Sequence, residues 1–336
     1  MGYSPIGWTE QVSRARLHVV TGKGGTGKTT VAAALALALA TGGRRVLLVE
    51  VEGRQGIAQL FDTAPLPYEE RRIASAPGGG EVRALHVDAE AALLEYFAMF
   101  YNLGIAGRTL RRMGAIEFAT TIAPGLRDVL LTGKVKETVG RTDERGRHVY
   151  DAVVLDAPPT GRIVKFLDVT KAMAELAKVG PIKDQSEGVV RLLHSQDTAV
   201  HLVTLLEEMP VRETVEAVAE ITAADLRPGA VIVNRVRPPR LPARSVTPAA
   251  GGRVDASRVR NGLATAGLDL APEDVEGLVE ETVEHAIRVL AEQRAREQLT
   301  EIDLPAVELA DVHHGIDTAA LYELAEALVD QGVRGR

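Results

Sequence analysis

Cysteine is missing altogether from the 336 residues, which excludes disulfides, thiolate zinc sites, iron–sulfur ligation and thiol nucleophiles together. Long apolar runs are missing too: the longest, Val31 to Ala40, is far short of the roughly 20 residues that span a bilayer, so no integral membrane span is expected. A formal net charge of -7 rules out a generally polybasic surface, and no nucleic-acid partner is expected. The first sixteen residues carry no charge-then-apolar export pattern; they read as a flexible N-terminus of a cytoplasmic protein. Histidines fall singly apart from His313-His314, without metal-ligand spacing on a helix. Aromatic residues make up only 4% of the chain. Four of them, Tyr96, Phe97, Phe100 and Tyr101, recur at helical spacing, a stripe that reads either as core or as an apolar groove for a client helix.

What is present is a phosphate loop. Gly22-Lys23-Gly24-Gly25-Thr26-Gly27-Lys28-Thr29 fills the pattern of a glycine, four residues, then Gly-Lys-Ser/Thr. It follows an apolar run of β-formers, Leu17 to Thr21, and precedes an Ala/Leu run, Thr30 to Ala40, long enough for three helical turns. Glycines let backbone N–H groups turn inward around phosphate oxygens, and the helix adds its positive end. Lys28 is placed to reach the β- and γ-phosphates, and Thr29 to coordinate magnesium through its hydroxyl. The loop from Gly22 to Thr30 is thus the expected seat of ATP.

Further strands read along the chain: Arg44 to Val51, Val82 to Val87, Val149 to Leu155, Ala199 to Leu205, Ala230 to Asn234 and Leu304 to Leu309. The first delivers Glu50 and Glu52 to the carboxyl edge of a sheet, where ligands bind in open α/β folds. Glu52 is the candidate to orient the attacking water or take its proton. Val149 to Leu155 ends in Asp156-Ala157-Pro158-Pro159-Thr160-Gly161. Asp156 can hold magnesium through water, and the Gly161 N–H can sense a γ-phosphate. Asn234 ends its strand and reads equally as a base-reading amide or a turn residue. Pro65 to Gly80 reads as a surface loop, and the Pro/Arg-rich 235–244 as an exposed connection. Helices are expected over Arg162 to Lys178, Ser186 to His194, Val211 to Ala224, Asp255 to Leu263, Val275 to Gln298 and Asp317 to Val329. The acidic polar face of the last one favours packing on the sheet over lipid.

The second lysine of the loop, Lys23, makes it a deviant one. Lys-Gly-Gly-Thr-Gly-Lys-Thr resembles the dimeric ATPases in which an extra lysine crosses to the partner's phosphates. With Asp156 to Gly161, Thr120 to Asp128 and Val231 to Asn234, the chain from Leu17 onward resembles the arsenical-pump-driving and tail-anchored-protein-targeting branch, and within it the actinobacterial half-size paired members. Three departures stand out. Glu52-Gly53-Arg54 replaces the branch's Asp-Pro-Ala, Arg235 replaces its usual glutamine, and its metalloid- or zinc-binding cysteines are absent.

The expectation is therefore an α/β, doubly wound, mostly parallel sheet of the P-loop type over 17–336. It carries a helical insertion at about 88–140 and a smaller helical segment at about 171–197. The expected function is magnesium-dependent ATP hydrolysis with Lys23, Lys28 and Glu52 as catalytic residues. The resemblance implies a homodimer, or a heterodimer with a close paralogue, that handles a protein or transport partner. A nucleotide-binding scaffold with little turnover and a metabolic phosphotransferase remain the alternatives.

Overall fold

The computed structural model describes residues 8–101, 126–176 and 181–336. Eight strands form one sheet: β1 Leu17–Gly22, β2 Arg45–Glu50, β3 Arg71–Ala76, β4 Gly80–His86, β5 Ala152–Asp156, β6 Thr198–Thr204, β7 Pro228–Val236 and β8 Ala306–Ala310. Their order is β3-β4-β2-β5-β1-β6-β7-β8. Every neighbouring pair is parallel except β3 with β4.

Parallel strands covered on both faces need apolar residues at successive positions, and β1, β2, β5 and β6 are buried almost throughout. Alternate residues feed two separate cores. Val20, Val46, Leu48 and Val154 face the layer that holds the helix Lys28–Ala40. Leu17, Val19, Leu47, Val49, Val153 and Leu155 face the layer that holds the helices Leu126–Gly140 and Thr160–Leu176. The helix Lys28–Ala40 has no polar face because it is enclosed on all sides. From Val31 to Ala40 every residue is at most 1% exposed, and the C-terminal helix Thr318–Asp330 packs over it through Leu321, Leu324 and Leu328. The terminal helix is thus a cover on the sheet's helical layer.

Four expectations need correction. Part of the loop expected over Pro65 to Gly80 is strand β3, an exposed, bulged edge strand with arginines at its start; facing water, it shows no apolar run. The Pro/Arg-rich connection ends in an unexpected helix, Ala243–Ala250, which buries only Val246 and Ala249. Strand β5 begins at Ala152 rather than Val149, because the Asp151 carboxylate accepts the Arg45 backbone N–H at 2.8 Å. From Trp8 on, the segment expected to be flexible is packed: Thr9 caps the helix Glu10–Ser13, and Trp8, Val12 and Ala15 are buried.

Ala89–Tyr101 is helical, as its spacing predicts. The side chains of the aromatic stripe Tyr96 to Tyr101 and most of the Pro-Gly segment Thr120 to Asp128 lie outside what the structure describes. Among the described residues no helix is long and apolar enough to cross a membrane.

Candidate nucleotide site

The carboxyl ends of β2, β5, β1, β6 and β7 stand side by side and bring Glu50, Asp156, Gly22, Thr204 and Asn234 to one edge. The loop leaves β1 there. A Cβ at Gly22 would lie 2.3 Å from the Val203 carbonyl oxygen, and one at Gly27 would lie 2.4 Å from Asn234 Nδ2. Only glycine fits at either place. Gly27, at φ 87°, is the N-cap of Lys28–Ala40, and no side chain caps that helix. Its first N–H groups and positive dipole end are left to an anion.

Thr26 anchors the loop by donating from its hydroxyl to the Lys23 carbonyl at 2.9 Å. Asn234 is buried and spans from β7 to the loop: its Nδ2 donates to the Thr26 carbonyl at 2.9 Å, and its Oδ1 accepts the Arg235 N–H at 3.0 Å. One amide hydrogen is thereby committed to loop shape, and the second stays available.

Thr29 donates from Oγ1 to Asp156 Oδ2 at 2.7 Å. Burial pushes the Asp156 carboxyl up to about 6; the Thr29 hydrogen bond opposes this, Glu50 and Glu52 add to it, and Lys28 works against it. Lys28 is held below the usual lysine range, first by desolvation, with Asp156 and Glu52 opposing. Its Nζ donates to the Lys23 carbonyl at 3.4 Å. Glu52 follows β2 in a turn, its carboxylate 4.0 Å from the Arg54 guanidinium and 22% exposed. In the middle of the edge, the Thr21 hydroxyl donates to the Pro158 carbonyl at 2.6 Å. This ties β1 to the segment that leads to Gly161, in the first turn of Thr160–Leu176.

The structure therefore brings Lys28, Thr29, Glu52 and Asp156 together at the mouth of the loop. Lys23 points elsewhere. Its Nζ donates to Glu213 Oε1 at 2.6 Å, on the helix Glu208–Ala223, with both side chains about one-third exposed. In the sequence Glu213 is one of several acids on a solvated helix face, with nothing to single it out. Glu50 carries one signal there, an acid at the end of an otherwise aliphatic strand.

Magnesium favours oxygen ligands and keeps several waters. The hydroxyl–carboxylate pair of Thr29 and Asp156 fits it, and among the described residues no cluster of three acids or histidines forms a closed metal cage.

A family model described as anion-transporting ATPase matches residues 15–195. ATPase BagA of Mycobacterium tuberculosis is 62% identical over 333 residues, covering 99% of this chain and 98% of its own. The arsenical pump-driving ATPase of Escherichia coli is 26% identical over 236 residues, covering 65% of this chain and 39% of its own. ATPase GET3 of Kluyveromyces lactis is 24% identical over 258 residues, covering 67% of this chain and 73% of its own.

Proposed function

Since this chain belongs to the anion-transporting ATPase family and is an ATPase, we propose that it works as a magnesium-dependent dimeric switch whose ATP cycle drives a protein or transport partner. The observation that carries the magnesium-dependent site is the Thr29 hydroxyl held on Asp156 at 2.7 Å, beside Lys28 and at the start of an uncapped helix.

In this reading the loop N–H groups from Gly22 to Thr30 and the helix dipole hold the phosphates. Lys28 leaves the Lys23 carbonyl for the β- and γ-phosphate oxygens. Thr29 would hold the metal through its hydroxyl and Asp156 through water. Bound magnesium supplies Lewis-acid neutralisation of the phosphate charge. Glu52 orients the attacking water, the Gly161 N–H senses the γ-phosphate, and the second amide hydrogen of Asn234 faces the base.

The dimer reading is supported by where Lys23 goes. A lysine that bonds a neighbouring helix adds nothing to its own site, whereas a facing subunit would bring its amine to the other chain's phosphates. The partner is a second copy or a close paralogue. The relatives' names connect an arsenical pump with one of them; without cysteine, this chain has no soft thiolates for a metalloid, which leaves a protein or another transport partner.

The test is ATP hydrolysis in parent, Lys28→Ala and Glu52→Gln proteins at matched folding. Lys28→Ala is expected to lose magnesium-dependent turnover. Glu52→Gln is expected to fall by about 10²-fold while still binding ATP. Turnover unchanged in Lys28→Ala would remove the site from the loop, and a Glu52→Gln protein as fast as the parent would move the water-orienting role elsewhere.

A further inference from the structure

One buried acid at this edge has no task in the cycle just described. Glu50, the last residue of β2, is 2% exposed. Its Oε1 accepts the Gly56 backbone N–H at 2.9 Å. Its Oε2 is buried and has no hydrogen-bond partner. An idle oxygen on a buried carboxylate is unfavourable unless something completes it.

Its neighbours narrow down what that is. Glu50 and Asp156 are register partners across β2 and β5, so their side chains leave the same face of the sheet at its carboxyl edge. Gly56 stands over the first turn of the loop helix. A Cβ built there would lie 3.8 Å from both Glu50 Oε1 and Thr29 Oγ1, and 3.2 Å from Thr29 Cγ2. The Glu50 carboxylate and the Thr29 hydroxyl therefore border one small space, and that hydroxyl is 2.7 Å from Asp156 Oδ2. Two buried acids meet there with Lys28 as the adjoining cation. A divalent cation relieves that excess of negative charge, and any side chain larger than glycine at 56 would press into the space.

We infer that Glu50 is a second metal-positioning acid of this site, its free Oε2 accepting a hydrogen bond from a water in the coordination sphere of the magnesium ion that Thr29 ligates. This rests on the nucleotide-site reading and deepens it. Contact through water follows from the chemistry of the ion, which gives up its waters reluctantly, and from the lack of a direct three-acid cluster among the described residues. Holding Gly56 takes only one carboxylate oxygen, and a glutamine oxygen would do the same. The charge and the second oxygen are what the metal role requires.

Manganese reports on the ion by electron paramagnetic resonance, and free manganese can be followed while it is titrated into the full chain loaded with ADP. Glu50→Gln is expected to bind manganese about 10- to 100-fold more weakly than the parent, the usual effect of losing an outer-sphere partner. Its ADP affinity in EDTA should be unchanged. Its metal-free melting temperature should be equal or higher, because the Gly56 bond is kept and a buried charge removed. Glu50→Asp, which keeps the charge, is expected to fall between the two and serves if Glu50→Gln does not fold.

Manganese affinity equal to the parent's in the folded variant overturns the inference, as does a loss matched by a lower melting temperature, which would mark a purely structural acid. A parent that binds no ADP overturns the nucleotide-site reading itself, an outcome visible before any variant is compared.

Discussion

Lys23 and Glu213 are both about one-third exposed, and ion pairs of that kind are worth roughly 0 to 1 kcal/mol. Such a pair can hold a lysine in a separate subunit and still yield it to a phosphate across an interface, where charge-assisted bonds are stronger. Glu213→Ala is therefore expected to leave ATP binding intact and to raise turnover at low protein concentration by up to about 5-fold, the equivalent of about 1 kcal/mol. Turnover measured against protein concentration checks this, and a drop would show that Glu213 assists the reaction rather than restraining Lys23. Lys28, Thr29 and Asp156 were legible in the sequence because a loop pattern and a strand-end acid fix their places through backbone geometry alone. Glu213 was not legible, because its role depends on a helix 190 residues from Lys23 in sequence. Glu50 was half legible: its position showed, but its idle oxygen is a matter of packing.

Among the elements, the junction of β1 and β6 carries a feature no spacing announces. His18 and His201 are fully buried and stacked, with the Trp8 ring centroid 6.0 Å from that of His18 and 5.1 Å from that of His201. The Ala230 N–H donates to His201 Nδ1 at 3.1 Å, so the proton of that ring sits on Nε2. That group donates to His18 Nδ1 at 3.0 Å, and His18 Nε2–H donates to the Ala15 carbonyl at 3.2 Å. The chain is complete with both rings neutral, and an added proton has no acceptor. Burial accordingly lowers His18 to about 4 and holds His201 well below its usual range. Folded-state values below the unfolded one mean that the unfolded chain binds more protons in this window, so stability is lost as pH falls from about 6.5 toward 4. For His18 alone the loss at pH 5 is about 2 kcal/mol. Trp8 is the only tryptophan in the chain, so its emission reports the release of the N-terminal segment. Acidification from pH 7 to 5 is expected to lower the melting temperature and shift that emission to the red. An unchanged melting temperature would mean that the histidines are not protonated on unfolding. The same distinction between local and distant causes explains which elements could be read. Buried parallel strands announce themselves as apolar runs, whereas the exposed edge strand β3 and the helix Ala243–Ala250 bury too little to leave a pattern.

For the whole molecule, the sheet sits between two helical layers, with the loop helix enclosed beneath the terminal helix. The doubly wound order and the covered faces followed from alternating apolar strands and helices. Within a single chain the loop's second lysine, Lys23, is turned toward Glu213 and does not join Lys28 at the mouth of the loop. The switch we propose centres on a composite site, one chain's Lys28 completed by the other's Lys23. The most direct measurement mixes Lys23→Ala and Lys28→Ala proteins, each nearly inactive alone, under conditions of proven subunit exchange, and follows magnesium-dependent ATP hydrolysis. If a paralogue is the natural partner, Lys23 is altered in one chain and hydrolysis followed in the other. In a mixed homodimer one site keeps its own Lys28 and receives the other chain's Lys23, so random exchange should restore roughly a quarter of the parent rate. Full activity of Lys23→Ala alone, or no recovery after exchange, would contradict it.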